Sequence, residues 1–117
     1  MSNNTRRLLH VDDDPYLQEY IITILADIAV VSGALSLTEA RTQLQKQSYD
    51  LVLLDLTLPD GSGFELIREL SDSHPDTPII IFSDHEVVTP PGKIAGVFQK
   101  SHFSEASLTA TITKLLS

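Results

Sequence analysis

The chain contains no cysteine in its 117 residues. A disulfide framework, a thiolate zinc site and a thiol nucleophile are therefore excluded, and any metal must be held by oxygen or imidazole. Oxygen donors favour Mg, Ca or Mn over softer ions. Cations are also scarce: eight Lys and Arg stand against sixteen Asp and Glu, a formal net charge of -8. Binding a phosphate backbone calls for clustered cations, so neither direct nucleic-acid contact nor an anionic membrane surface is expected. No stretch approaches the ~18 apolar residues that a membrane span needs. The segment Met1-Ser2-Asn3-Asn4-Thr5-Arg6-Arg7 lacks the longer apolar centre of a secretion signal. A soluble cytoplasmic protein is the expectation. Internal repeats, low-complexity tracts and linkers are absent too.

What the chain does have is a 42% hydrophobic content arranged in short runs, enough for one domain over residues 1–117. The runs lie at 8–11, 28–31, 51–54, 79–82 and, more weakly, 96–99. Their continuous apolar character predicts strands covered on both faces, as in a parallel sheet. Helical patterns alternate with them. The first has Pro15 near its start, Asp14 as cap, and Leu17, Tyr20, Ile21, Ile24 and Leu25 on one stripe. Ser36 with Glu39, and Ser62 with Glu65, have the spacing of capping boxes that open the second and third helices. The last helix starts after Ser104 and carries Leu108, Ile112, Leu115 and Leu116. Alternating strands and helices with right-handed crossovers give a doubly wound α/β sheet. One crossover departs from this. Between Phe82 and Gly96 the Pro90-Pro91-Gly92 sequence forbids a continuous helix, so the fourth helix should be short or degenerate.

Chemistry concentrates where the runs end. Asp12 and Asp13 follow the first run and Asp55 the third. If those strands are neighbours, carboxylates meet at one sheet edge, where their anionic forms need a cation. Ligands of open parallel sheets bind beyond the carboxyl ends of the strands, where Ser83 and Lys100 also fall. Carboxylates suit a divalent metal or a nucleophile, a hydroxyl can donate, and an ammonium suits phosphoryl oxygens. Taken singly, each residue has a plainer reading as helix cap, strand end, turn hydroxyl or surface cation. As a set they read as a phosphoryl-transfer site.

The motifs Val11-Asp12-Asp13-Asp14-Pro15, Asp50 through Gly63, Pro78 through Ser83, and Lys100 resemble the receiver domain of two-component response regulators. Pro59 and Gly63, four and eight positions after Asp55, stand where that family has them. The resemblance covers about Leu8 to Leu116. It implies a flavodoxin-like, five-stranded parallel sheet of order 2-1-3-4-5. It also implies that Asp55 accepts a phosphoryl group from a histidine kinase or a histidine phosphotransfer protein. Asp13, Asp55 and the Thr57 carbonyl would bind Mg²⁺ directly and Asp12 largely through metal-bound water. Lys100 would pair with Asp55 and then with the phosphoryl group, and Ser83 would donate to a phosphoryl oxygen. The output would be a changed surface for a downstream protein or an appended output domain, with no catalysis beyond the domain's own phosphorylation and dephosphorylation.

Three features depart from the family pattern. Ser83 and Lys100 are seventeen positions apart, several fewer than usual. Val97 holds the place of the family's switch aromatic, with Phe98 one position later, on the opposite strand face. Asp84 adds a carboxylate beside Ser83, Ser101 replaces a common proline after the lysine, and His85 is a candidate modulator. Asp84 raises the electrostatic cost of phosphorylation unless it faces solvent or pairs with Lys93. The shortened crossover and Val97 favour one alternative, a pseudo-receiver acting by phosphorylation-independent protein contact. A Mg-dependent phosphatase of the haloacid dehalogenase type is disfavoured, because Thr57 stands where that class needs a second aspartate. The four histidines share no metal-ligand spacing, so surface or strand-end roles are expected of them.

Overall fold

A computed structural model describes residues 5–84 and 94–117. Strand β1 (Arg7–Val11) pairs in parallel with β2 (Val30–Ala34) on one side and β3 (Leu51–Leu54) on the other. Beyond β3 come β6 (Ile79–Phe82) and the edge strand β7 (Ile94–Phe98). Between β3 and β6 in sequence, β4 (Thr57–Leu58) and β5 (Gly61–Ser62) form a separate antiparallel ladder. The large sheet runs β2-β1-β3-β6-β7. Counting its five strands alone, this is the expected 2-1-3-4-5 order of a flavodoxin-like doubly wound sheet.

Helices cover both faces. One core packs Leu9, Val11, Val52, Leu54 and Ile81 under α2 (Leu37–Lys46) and α3 (Gly63–Ser73). The other packs Leu8, Leu51, Leu53, Ile80 and Phe82 under α1 (Pro15–Ile24) and α4 (Glu105–Leu115). Alternate strand residues thus serve opposite cores, which is why β3 and β6 read as unbroken apolar runs and β1, after Arg7, as one interrupted only by His10.

The helix starts follow local chemistry. Asp14 accepts from the Tyr16 and Leu17 amides and Pro15 opens α1. Ser62 and Glu65 form a complete capping box on α3, and Ser104 caps α4. On α2 the box is one-sided. Ser36 accepts from the Glu39 amide, but Glu39 turns back to the Leu35 amide instead of Ser36.

Two strands lie elsewhere than their apolar runs suggested. The second comprises Val30–Ala34 instead of 28–31, because Ile28 and Ala29 instead close the end of α1 and pack into its core. The last comprises Ile94–Phe98 instead of 96–99, set by its pairing from Ile79↔Ile94 to Phe82↔Phe98. The expected short or degenerate fourth helix lies outside the described residues, as do His85 and Lys93.

Candidate functional site

The register of the sheet brings the site together. Val11 pairs with Leu54 and Leu54 with Ile81, so Asp12, Asp55 and Phe82-Ser83 leave adjacent strands at one edge. Ligand oxygens of Asp12, Asp13 and Asp55 all lie within 4.8 Å of one another. Asp12 and Asp55 are buried at the strand ends and Asp13 is exposed at the rim. The donor set is all oxygen, which fits a hard divalent cation.

Lys100, two residues past β7, reaches across the edge. Its Nζ donates to Asp55 Oδ2 at 2.9 Å and lies 2.6 Å from Asp12 Oδ2. The expected pairing with Asp55 is present, and the lysine bridges to Asp12 as well. Burial by itself would lower the Lys100 pKa, yet Asp12 and Asp55 outweigh it and hold the group above its ordinary value, fully charged. Asp12 shows the opposite balance. Burial raises its pKa more than the charge of Lys100 and the Asp14 amide lower it.

Backbone groups complete the geometry. The Thr57 amide donates to Asp55 Oδ1 at 3.2 Å, which orients the carboxylate. Ser83 is buried, its amide bonded to the Phe98 carbonyl at 3.0 Å. Gly63 packs so closely behind Asp55 that a Cβ there would overlap the Asp55 carbonyl oxygen.

The two unusual residues flanking the site turn out to be partners. Asp84 Oδ1 accepts from the Ser101 amide at 2.9 Å and from its hydroxyl at 2.8 Å. Those bonds, with Lys100 and His102 nearby, lower the Asp84 pKa. A proline at position 101 could make neither bond. Asp84 therefore faces solvent as a turn acceptor. Val97 is exposed, whereas Phe98 lies among the residues of the α1/α4 core, as the one-residue offset predicted.

Three residues escaped the sequence reading. Gln18 on α1 donates to the Asp12 and Ala34 carbonyls, each at 3.0 Å, and clamps β1, β2 and α1 at the site. Asp60 accepts from the Leu37 and Thr38 amides at 2.8 and 2.9 Å, tying the loop after Asp55 to the start of α2. His10, expected at the surface or a strand end, is fully buried, with Nε2 at 3.8 Å from Asp12 Oδ2. The placement of His10 on the core face was readable from strand alternation. The reach of Gln18 and Asp60 was not, because it depends on tertiary contacts.

The family model described as response regulator receiver domain matches residues 8–96. The chain is 34% identical over 79 residues to the response regulator protein PilR of Pseudomonas aeruginosa, a match covering 67% of this chain and 18% of PilR. It is 33% identical over 86 residues to the transcriptional regulatory protein CiaR of Streptococcus pneumoniae, covering 74% of this chain and 38% of CiaR. It thus spans well under half the length of these relatives. Among solved structures, a CheY-like receiver domain protein from Methanospirillum hungatei superposes with a TM-score of 0.88 at 22% identity, over 96% of this chain and 94% of that one. The beryllofluoride-activated NtrC4 receiver domain superposes with a TM-score of 0.82 at 25% identity, over 94% and 95% of the two chains.

Proposed function

We propose a function on the premise that follows from those matches: this chain belongs to the response regulator receiver domain family of two-component systems, and within it acts as a phosphoacceptor. Asp55 takes the phosphoryl group of a phosphohistidine on a histidine kinase or a histidine phosphotransfer protein. The observation that carries this reading is the convergence of Asp12, Asp13 and Asp55 within one ligand sphere, with Lys100 Nζ bound to Asp55 Oδ2.

Asp13, Asp55 and the Thr57 carbonyl are the proposed Mg²⁺ ligands, with Asp12 acting largely through metal-bound water. When bound, the ion neutralises charge on the oxygens of the group in transfer. The rest is the work of the chain. The Thr57 amide aims Asp55, which attacks phosphorus in line as the bond to the donor nitrogen breaks. Lys100, already charged, moves from the carboxylates to a phosphoryl oxygen, and the Ser83 hydroxyl donates to another. The acyl phosphate adds about 1.5 to 2 negative charges, enough to bias the segment after Ser83 and alter the surface offered to a downstream protein or output domain. Asp84, bound to Ser101, and His85 are the proposed modulators.

Phosphoramidate and Mg²⁺ offer the nitrogen-phosphorus bond that the proposed donor carries. The expected result is one phosphoryl group per chain, lost when a chelator is added. The absence of any adduct would favour the pseudo-receiver alternative, which the exposed Val97 supports.

A further inference from the structure

His10 is an odd residue to find where it lies. It sits on β1 among Leu8, Leu53 and Phe82, fully buried, its ring tilted against Phe82 at 6.3 Å. An imidazole placed in an apolar core without hydrogen bonds is costly, and buried polar groups nearly always have partners. Among the described residues neither ring nitrogen of His10 has one. Asp12 Oδ2 lies 3.8 Å from Nε2, and that oxygen is paired with Lys100 Nζ at 2.6 Å. A ring nitrogen without a partner thus faces a carboxylate oxygen held by Lys100, across a gap about 1 Å too long for a hydrogen bond.

Lys100 explains the gap, since its charge draws the Asp12 carboxylate to itself and away from the ring. Full enclosure beside apolar side chains favours the neutral, single-proton form of the ring, which can donate from one nitrogen. If Lys100 shifts to a phosphoryl oxygen, Asp12 Oδ2 loses its cation while staying buried. We propose that His10 is a positioning residue that takes over Asp12 in the phosphorylated state, its Nε2–H donating to Oδ2 when Lys100 leaves. This rests on the phosphoacceptor reading and assigns it a second, chain-specific support for the metal-facing carboxylate.

The test uses the full chain labelled with ¹⁵N-histidine, with beryllofluoride and Mg²⁺ as the probe, and fluorine NMR to report whether the adduct forms. The His10 resonance is assigned by its loss in His10→Gln. The expected result on adduct formation is an Nε2–H tautomer with a slowly exchanging, downfield ring proton that the free protein lacks. An adduct with an unchanged His10 ring overturns the His10 role alone, whereas no adduct overturns the phosphoacceptor reading and this inference with it. A second measurement compares Mg²⁺ affinity with and without beryllofluoride. His10→Leu should reduce the ratio of the two affinities about tenfold, the scale of one hydrogen bond to a charged group. His10→Gln, whose amide reaches the place of Nε2, should restore most of it. Equal ratios in all three proteins would contradict the proposal, and a purely packing role would shift both affinities together.

Discussion

At the residue scale, the site depends on side chains that touch no ligand. Gln18 spends its amide on the Asp12 and Ala34 carbonyls, and a Cβ at Gly33 would come within 2.5 Å of the Gln18 amide oxygen. Gly33→Ala must therefore displace the clamp, and Gln18→Ala removes it. Each should cost about 0.5–1.5 kcal/mol in urea unfolding, the net scale of a lost hydrogen bond, since the Ala34 carbonyl keeps the Asp12 amide. The double variant should cost less than the sum by at least about 0.5 kcal/mol; full additivity would show that the two residues do not act through one contact. Gly63→Ala should cost about 1–3 kcal/mol through overpacking and should push Asp55 out of register with Lys100. Asp12, Asp13, Asp55, Ser83 and Lys100 were legible in sequence because each follows a strand, and strand ends in a parallel sheet share an edge. Gln18 and His10 were not singled out. A mid-helix glutamine and an isolated histidine look ordinary until the neighbouring carbonyls and carboxylate are in place.

At the element scale, the central strands were legible to the residue or nearly so, since burial on both faces leaves an unbroken apolar signature. The edges were not. Strand β2 includes Ser32 and Gly33, which lie beyond the apolar run, and it forms because β1 offers it a full parallel register from Arg7↔Val30 to Val11↔Ala34. A similar limit applies to α2, whose start is held by Asp60 from a distant loop as well as by Ser36. The bonds from the Leu37 and Thr38 amides lower the Asp60 pKa to about 2. A carboxylate depressed in the fold contributes stability above its unfolded pKa and loses it as pH falls from about 4 toward 2. Asp60→Asn should therefore narrow the difference in unfolding midpoint between about pH 6 and about pH 3. An unchanged difference would mean that the loop and helix do not depend on this charge.

At the scale of the whole molecule, the fold carries a concentration of like charge at one sheet edge, offset in the metal-free protein by Lys100 alone among the described cations. Removing the exposed Asp13 should relieve repulsion and raise metal-free stability by up to about 1 kcal/mol. The same change should shrink the stabilisation given by Mg²⁺, which for intact protein approaches about 2.7 kcal/mol at a hundredfold excess over Kd. Melting curves with and without Mg²⁺ test both halves, and a lower metal-free melting temperature would contradict the first.

The central claim is that Asp55 is the phosphoacceptor of a Mg²⁺-dependent pocket. Intact mass after incubation with acetyl phosphate and Mg²⁺ tests it most directly. One phosphoryl group per chain, absent with chelator and absent in Asp55→Asn, is the predicted result; an adduct that survives Asp55→Asn would contradict it.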